Sequence, residues 1–212
     1  MTEHVIPGTN IVVSDEGPTI DVADLPRYGF GRKSALFWGV LAFIAIETTA
    51  LAIMFASYLY VRGNFDEWPP SEPMRITPGI LTTVMMLLSC IPMQMSVKPC
   101  HELALNRTRR LVMIGVGLGF AACALRAWEI ASLPFSWTDN AYASVLWTTY
   151  GMHTVELVAS VLESLVMVAV LYRGPVEEKH FEDVEVTALF WWFANLVWLP
   201  FAALFYIDGV LR

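Results

Sequence analysis

An apolar run of 26 residues, from Leu36 to Val61, contains a single charged side chain, Glu47. Such a run is long enough to cross a bilayer, which takes about 20 mainly apolar residues in a helix. Four further apolar runs follow, and charged residues make up only 16% of the chain, against about 25% in an average soluble domain. We therefore predict an all-α fold, a polytopic membrane bundle of five transmembrane helices. The predicted helices cover residues 36–61, 79–97, 110–132, 142–172 and 186–208.

The bundle is predicted to occupy residues 31–212, after a polar extramembrane segment at residues 1–30. Basic residues predict its orientation, because they accumulate in loops on the inner side of a membrane. One side would carry Arg27, Arg32, Lys33, Lys98, Arg107, Arg109, Arg110, Arg173 and Lys179. The other side would carry Arg62, Arg75 and Arg212. The distribution predicts that the N-terminus lies inside and the C-terminus outside.

The charge balance and the motifs exclude several classes of function. The net charge is −7, whereas binding to nucleic acid calls for a clustered basic surface. The sequence contains no phosphate-binding glycine loop and no nucleophile elbow. His153 has no second membrane histidine at ligand spacing, so a heme held by two histidines is not expected. We predict no catalytic, cofactor-binding or metal-binding residue on this chain.

Carboxyl groups at membrane depth are the main candidates for function. A charged Glu47 facing lipid would cost about 2.5–3.5 kcal/mol, so this side chain is expected to face protein or water. Glu129, Glu156 and Glu163 also lie inside or at the edge of apolar runs. The sequence therefore predicts a polar interior between the helices or against a partner. Two interpretations of Glu47 stay open, a proton or lipid site and a hydrogen-bonded packing residue.

Polar residues of the fourth predicted helix share one face. They follow each other by three or four residues, which is the helical spacing: His153, Glu156, Ser160, Glu163 and Met167. His153 and Glu156 are neighbours on this face and are placed to share a proton or form an ion pair.

Three smaller features complete the pattern. Arg126 and Glu129 have helical spacing near the outer end of the third helix, which predicts a structural pair that snorkels toward the surface. Asn195 interrupts an aromatic run on the fifth helix. Gly115 and Gly119 predict close helix packing. The candidate proton or lipid site residues are therefore Glu47, Arg126, Glu129, His153, Glu156, Glu163 and Asn195.

Four sequence stretches, taken in order, resemble subunit III of the heme–copper oxidases, the cytochrome c and quinol oxidases. The stretch from Trp38-Gly39 through Ile46-Glu47 to Tyr58 resembles the family's W-G and F-I-x-S-E pattern. Arg126-Ala127-Trp128-Glu129 is similar to its Q-x-x-E, and Gly151 to Glu156 resembles its G-x-H-x-x-H. Phe190 to Trp198 resembles its W-H-F-x-D-x-V-W ending. Glu156, Trp192, Asn195 and Arg126 depart from the family's usual histidine, histidine, aspartate and glutamine.

The resemblance implies a short, five-helix form of an accessory subunit in a proton-pumping terminal oxidase of aerobic respiration. Such a subunit binds no heme or copper itself, because these cofactors lie in partner subunits. It packs directly on subunit I, belongs to a complex with subunit II and a wider respiratory supercomplex, binds phospholipid, and supports proton uptake and enzyme durability. By that analogy Glu47 is the family's intramembrane glutamate, and the location is a bacterial inner membrane with a cytoplasmic N-terminus.

Other functions stay open from the sequence alone. An independent transporter or proton channel would use the face from His153 to Glu163, although the odd helix count and the lack of an inverted repeat oppose it. An accessory subunit of a nitric oxide reductase and a purely structural assembly factor are further alternatives. The identity of the electron donor, cytochrome c or quinol, is also open.

Overall fold

A computed structural model describes residues 4–5, 11–14, 17–20, 34–72, 74–173 and 179–210. It divides the chain into two compact units, Met1–Ala35 and Leu36–Arg212. Most of the predicted polar segment at residues 1–30 lies outside the described residues. So do four basic residues of the orientation argument, Arg27, Arg32, Lys33 and Arg212.

The N-terminal unit contains a small antiparallel sheet that the sequence analysis did not predict. Its three strands are β1 (His4–Val5), β2 (Ile11–Ser14) and β3 (Gly17–Ile20), in the order β1-β2-β3. His4 pairs with Val13, and Ser14 pairs with Gly17.

The second unit is helical, which confirms the predicted fold class. Its helices are α1 (Ala35–Arg62), α2 (Ile76–His101), α3 (Leu105–Ala131), α4 (Ala141–Arg173), α5 (Lys179–Leu196) and α6 (Trp198–Val210). Among the residues that the structure describes, five segments are long and apolar enough to cross a membrane, and the fifth, Phe181–Asp208, combines α5 and α6.

The connection between α2 and α3 is much shorter than predicted. Residues 98–109 were predicted to connect the second and third helices. In the structure α2 continues to His101. It ends in a Schellman motif, in which the N–H of Ala104 donates to the carbonyl of Pro99 and that of Leu103 to Cys100. Leu103 takes the left-handed conformation of this motif, with φ of 56°. The chain therefore reverses within three residues.

The last predicted helix is broken at Val197, which separates α5 from α6. Pro200 gives the reason, because it has no N–H for the carbonyl of Leu196 and its ring clashes with that carbonyl. The break turns the aromatic run, so that Trp191 and Trp198 are both fully buried. The sequence carries this signal, although residues 186–208 were predicted to form one helix.

Close packing at the α3 glycines confirms the small-residue prediction. A methyl group on Gly119 would lie 2.7 Å from the Trp191 ring and 2.9 Å from Val161. At Gly115 it would lie 2.9 Å from Met93. By contrast, nothing lies within 4 Å of the same position on Gly117. The face of α3 that carries Gly115 and Gly119 is thus in tight contact with α2, α4 and α5.

Helix α1 lies at the edge of the unit. Leu51 and Tyr58 are its buried positions, and both are in its C-terminal half. Large apolar side chains in the N-terminal half are exposed, Trp38, Phe43 and Ile46 among them. The C-terminal half of α1 is therefore attached to the bundle more extensively than the N-terminal half.

Candidate functional site

A buried ion pair lies between the helices. Arg126 and Glu129, one turn apart on α3, bring Nη1 and Oε2 to 3.0 Å. Arg126 is fully buried and Glu129 is 4% exposed. The predicted pairing is therefore present, but the prediction that it snorkels to the surface is wrong, because neighbouring helices cover it.

His153 reaches the same arginine from α4. Its Nδ1 lies 3.2 Å from Nη2 of Arg126, and its Nε2 lies 2.9 Å from the carbonyl oxygen of Ala194. A guanidinium can only donate and a carbonyl can only accept. His153 is therefore neutral here, with its proton on Nε2, and it links α3 to α5.

Aromatic side chains enclose this group of charges. The guanidinium carbon of Arg126 lies 3.9 Å from the Trp198 ring centre and 5.1 Å from that of Tyr150. The His153 ring stacks on Trp198 with centroids 4.6 Å apart. Oε1 of Glu129 accepts hydrogen bonds from Tyr150 at 2.9 Å and from Tyr206 at 3.2 Å.

We call this group the arginine cluster: Arg126, Glu129, Tyr150, His153, Trp198 and Tyr206. The sequence analysis missed Tyr150, Tyr206 and the specific role of Trp198. Their spacing along apolar helices is that of ordinary core aromatics, so the sequence offers no signal for them. Cation–π contacts and the opposite charge of Glu129 compensate the buried charge of Arg126, while its Nε has no hydrogen-bond partner among the described residues.

Glu47 and Glu156 form a second polar site, which we call the carboxyl pair. Their side chains are within hydrogen-bonding distance of each other, across α1 and α4. Two carboxyl groups can be joined in this way only if a proton lies between them. Glu156 is 6% exposed and Glu47 is half-buried. The predicted sharing between His153 and Glu156 is replaced by these contacts, since His153 pairs with Arg126 instead.

The carboxyl pair lines a cavity of about 350 Å³. The rest of the lining is apolar and comes from three helices: Phe43, Met152, Val155, Ala159 and Phe190. Phe43 and Phe190 touch, with ring centres 5.6 Å apart. The two acids are thus presented to an apolar space.

Glu163 and Asn195 lie apart from both groups. Glu163 is exposed on α4 and accepts a hydrogen bond from Thr187 at 3.2 Å. Asn195 is buried and donates from its amide to the carbonyl of Trp191 at 2.6 Å. The face predicted from His153 to Glu163 is therefore divided among three different sets of partners.

A third polar group, at the C-terminal ends of α1 and α6, was not predicted. Asp208 is 4% exposed. It accepts hydrogen bonds from Tyr58 at 2.7 Å and Trp68 at 2.8 Å, and it pairs with Arg62 at 2.9 Å. A single acid near the end of the last apolar run was the available signal. This Asp208 cluster ties α1 to α6.

Comparison with known proteins identifies relatives over most of the chain. Residues 28–210 match the family described as Cytochrome c oxidase subunit III. The chain is 22% identical over 175 residues to "Cytochrome c oxidase subunit 3" of Thermostichus vulcanus, covering 80% of this chain and 85% of that protein. The protein of the same name from Strongylocentrotus purpuratus is 28% identical over 149 residues, which are 67% of this chain and 56% of that one. The Drosophila yakuba protein is 24% identical over 172 residues, 77% and 66% of the two chains.

The lengths of these relatives differ. This chain spans most of the Thermostichus vulcanus protein but only about half to two thirds of the two animal proteins. Among the residues that the structure describes, no three His, Cys, Asp or Glu side chains come together in the manner of metal ligands.

Proposed function

Since the chain belongs to the cytochrome c oxidase subunit III family, whose members are accessory subunits of a heme–copper oxidase, we propose that it serves a proton-pumping terminal oxidase without a redox centre of its own. The match over residues 28–210 is the observation that carries this proposal. Heme and copper would lie in partner subunits. The chain would contact subunit I directly. It would be associated with subunit II and with a respiratory supercomplex as part of the same oxidase complex.

The five membrane-spanning segments make the chain an integral membrane protein. We propose a bacterial inner membrane as its location, and the basic residues support an N-terminus in the cytoplasm. Those within the described residues support this orientation: Lys98, Arg107 and Arg109 at the α2–α3 turn lie on the same side as Arg173, the last residue of α4.

The arginine cluster supports a structural role for most of the buried charge. Arg126, Glu129 and His153 engage one another, with almost no exposure to solvent or lipid. This arrangement holds α3, α4 and α5 together and covers the charged groups. It therefore favours an accessory subunit over an independent proton channel.

The carboxyl pair is the part of the chain that we propose to act during turnover. It holds a proton at membrane depth beside an apolar cavity that is suited to phospholipid acyl chains. The pair would retain lipid next to subunit I, support proton uptake there, and so prolong the working life of the oxidase.

Gentle solubilisation and purification through a tag on this chain test the assignment. We expect subunits I and II to be recovered with it. Heme absorption should be seen only in preparations that contain subunit I. Purified chain that carries stoichiometric heme by itself would contradict the proposal, and so would recovery without any heme–copper subunit.

The variant Glu47→Gln tests the role of the carboxyl pair. We expect normal assembly, but less tightly bound phospholipid and faster loss of oxidase activity during continuous turnover. Glu102→Gln is the matched control, because Glu102 is an exposed acid whose nearest cation, Lys98, is 3.7 Å away. Lipid content and inactivation kinetics equal to those of the control would remove the proposed role.

A further inference from the structure

Phospholipid tails match the apolar walls of the cavity beside the carboxyl pair, but they do not match its two carboxyl groups. Glu47 is the 13th of 28 residues in α1, and Glu156 is the 16th of 33 in α4. Both acids therefore lie near the middle of their spans. Lipid headgroups lie roughly 15 Å away, at half the thickness of the hydrocarbon core. A phospholipid can present only its tails to this depth.

Hydrogen bonding at the pair is incomplete. Within the described residues, neither carboxyl oxygen of Glu156 receives a hydrogen bond from an N–H or O–H donor outside the pair. Even if one proton is shared between the two side chains, an acceptor oxygen of Glu156 is left without a donor. Glu156 is also more than nine-tenths buried, so water does not reach it freely. Acyl tails have no donor to offer these oxygens.

The walls of the cavity set the rest of the ligand's chemistry. They are apolar, and Phe43 and Phe190 provide adjacent aromatic surfaces. The volume of about 350 Å³ lies at the small end of the range for ligand pockets, about 300–1,000 Å³. A ring packs well against such aromatic walls. A permanently charged ligand is disfavoured, because it would have to cross half of the hydrocarbon core.

We propose that this cavity binds a neutral, membrane-dissolved ring compound with a hydroxyl group, of the phenol and quinol class. The hydroxyl donates to a free oxygen of the Glu47–Glu156 pair, and the ring lies against Phe43 and Phe190. This site does not depend on the proposed role of the chain in an oxidase, since it is built from α1, α4 and α5 alone.

Photo-crosslinking tests the proposal on the purified chain with its accompanying subunits. The probe is a 4-alkylphenol with a diazirine in its tail, and the labelled peptides are identified by mass spectrometry. The control probe is the matching methyl ether, which has the same shape but no donor. We expect the phenol to label the cavity-lining segments of α1 and α4 about tenfold more than the ether, the effect of one net hydrogen bond.

Variants separate the carboxyl pair from general hydrophobicity. Glu156→Leu and Glu47→Leu are each expected to reduce phenol labelling to the level of the ether. Glu163→Leu is the matched control, because it also removes an acid from α4 but does not line the cavity, and it should leave labelling unchanged. Protein recovery and helical circular dichroism report whether each variant is folded.

Two results would overturn the proposal. Equal labelling by the phenol and the ether would mean that the cavity accepts any apolar chain. Phenol labelling that persists in both folded leucine variants would mean that the carboxyl pair does not bind the hydroxyl. Recovery of the oxidase subunits is measured in a separate experiment. A failure of the oxidase assignment can therefore be told apart from either of these labelling results.

Discussion

Arg126 donates from Nη2 to Nδ1 of His153 across 3.2 Å, between α3 and α4. The contact fixes the tautomer of His153, because the other ring nitrogen donates to Ala194. Both ring nitrogens of His153 are thereby engaged, and Glu156 has Glu47 as its neighbour instead. One face of α4 thus serves two purposes: His153 contacts the buried Arg126, and Glu156 lines the cavity together with Glu47 of α1.

The ion pair inside the arginine cluster should behave non-additively. Arg126→Met or Glu129→Gln alone disrupts a buried pair, which typically costs about 3–5 kcal/mol. The double variant removes both charges, and the glutamine oxygen can still accept from Tyr150 and Tyr206. We expect it to be more stable than either single variant. The measurement is the fraction of protein that stays soluble in detergent after heating through a temperature series. Additive losses in the double variant would show that the two charges do not interact.

The α3 glycines offer a matched pair of substitutions. Gly119→Ala forces a methyl group against Trp191 and Val161, and overpacking of this kind costs about 1–3 kcal/mol. Gly117→Ala meets open space and should be neutral or stabilising by up to about 1 kcal/mol from helix propensity. Thermal solubility in detergent should therefore fall for the first variant only. Equal behaviour of the two would contradict the packing described for this face.

The sequence supports prediction of the spans but not of the contacts between them. Five apolar runs were sufficient to predict five spans, because bilayer thickness sets a length that each run meets. Helix ends were predicted less well. The Schellman turn at Leu103 depends on local geometry, whereas the break at Val197 had a signal in Pro200 that was not used. The spacing of Arg126 and Glu129 predicted that they pair. It carried no information on their burial, because Tyr150 and Trp198 come from other helices.

Contacts between distant positions were beyond the sequence patterns. Glu47 and Glu156 come from different helices, and a single sequence does not indicate which face of α1 turns toward α4. Asp208 illustrates the same limit, since its partners Tyr58, Arg62 and Trp68 are all more than a hundred residues away along the chain. Such pairings follow from how the helices pack, which the periodicity of one helix does not specify.

Removal of the acid from the Asp208 cluster should loosen the C-terminal end of α1. Asp208→Ala takes away the acceptor of Tyr58 and Trp68 and the partner of Arg62, and each hydrogen bond to a charged group contributes about 1.5–3 kcal/mol. We expect faster proteolysis in the α1–α2 connection at residues 63–75. Glu102→Ala is the control, because its pairing with Lys98 is exposed and worth about 0–1 kcal/mol. An unchanged cleavage rate in Asp208→Ala would show that α1 is held by its apolar contacts.

The orientation predicted from the basic residues is open to direct measurement by cysteine labelling. Cys90 and Cys100 are fully buried, and Cys123 lies within the α3 span, so the native background should be low. Thr138→Cys places a thiol on the exposed α3–α4 connection, and Asn106→Cys places one at the α2–α3 end. With a membrane-impermeant maleimide added to intact cells, we expect Thr138→Cys to react and Asn106→Cys to react only after permeabilisation. The reverse pattern would place the N-terminus outside, and it would require the basic residues at the α2–α3 turn to have crossed the membrane.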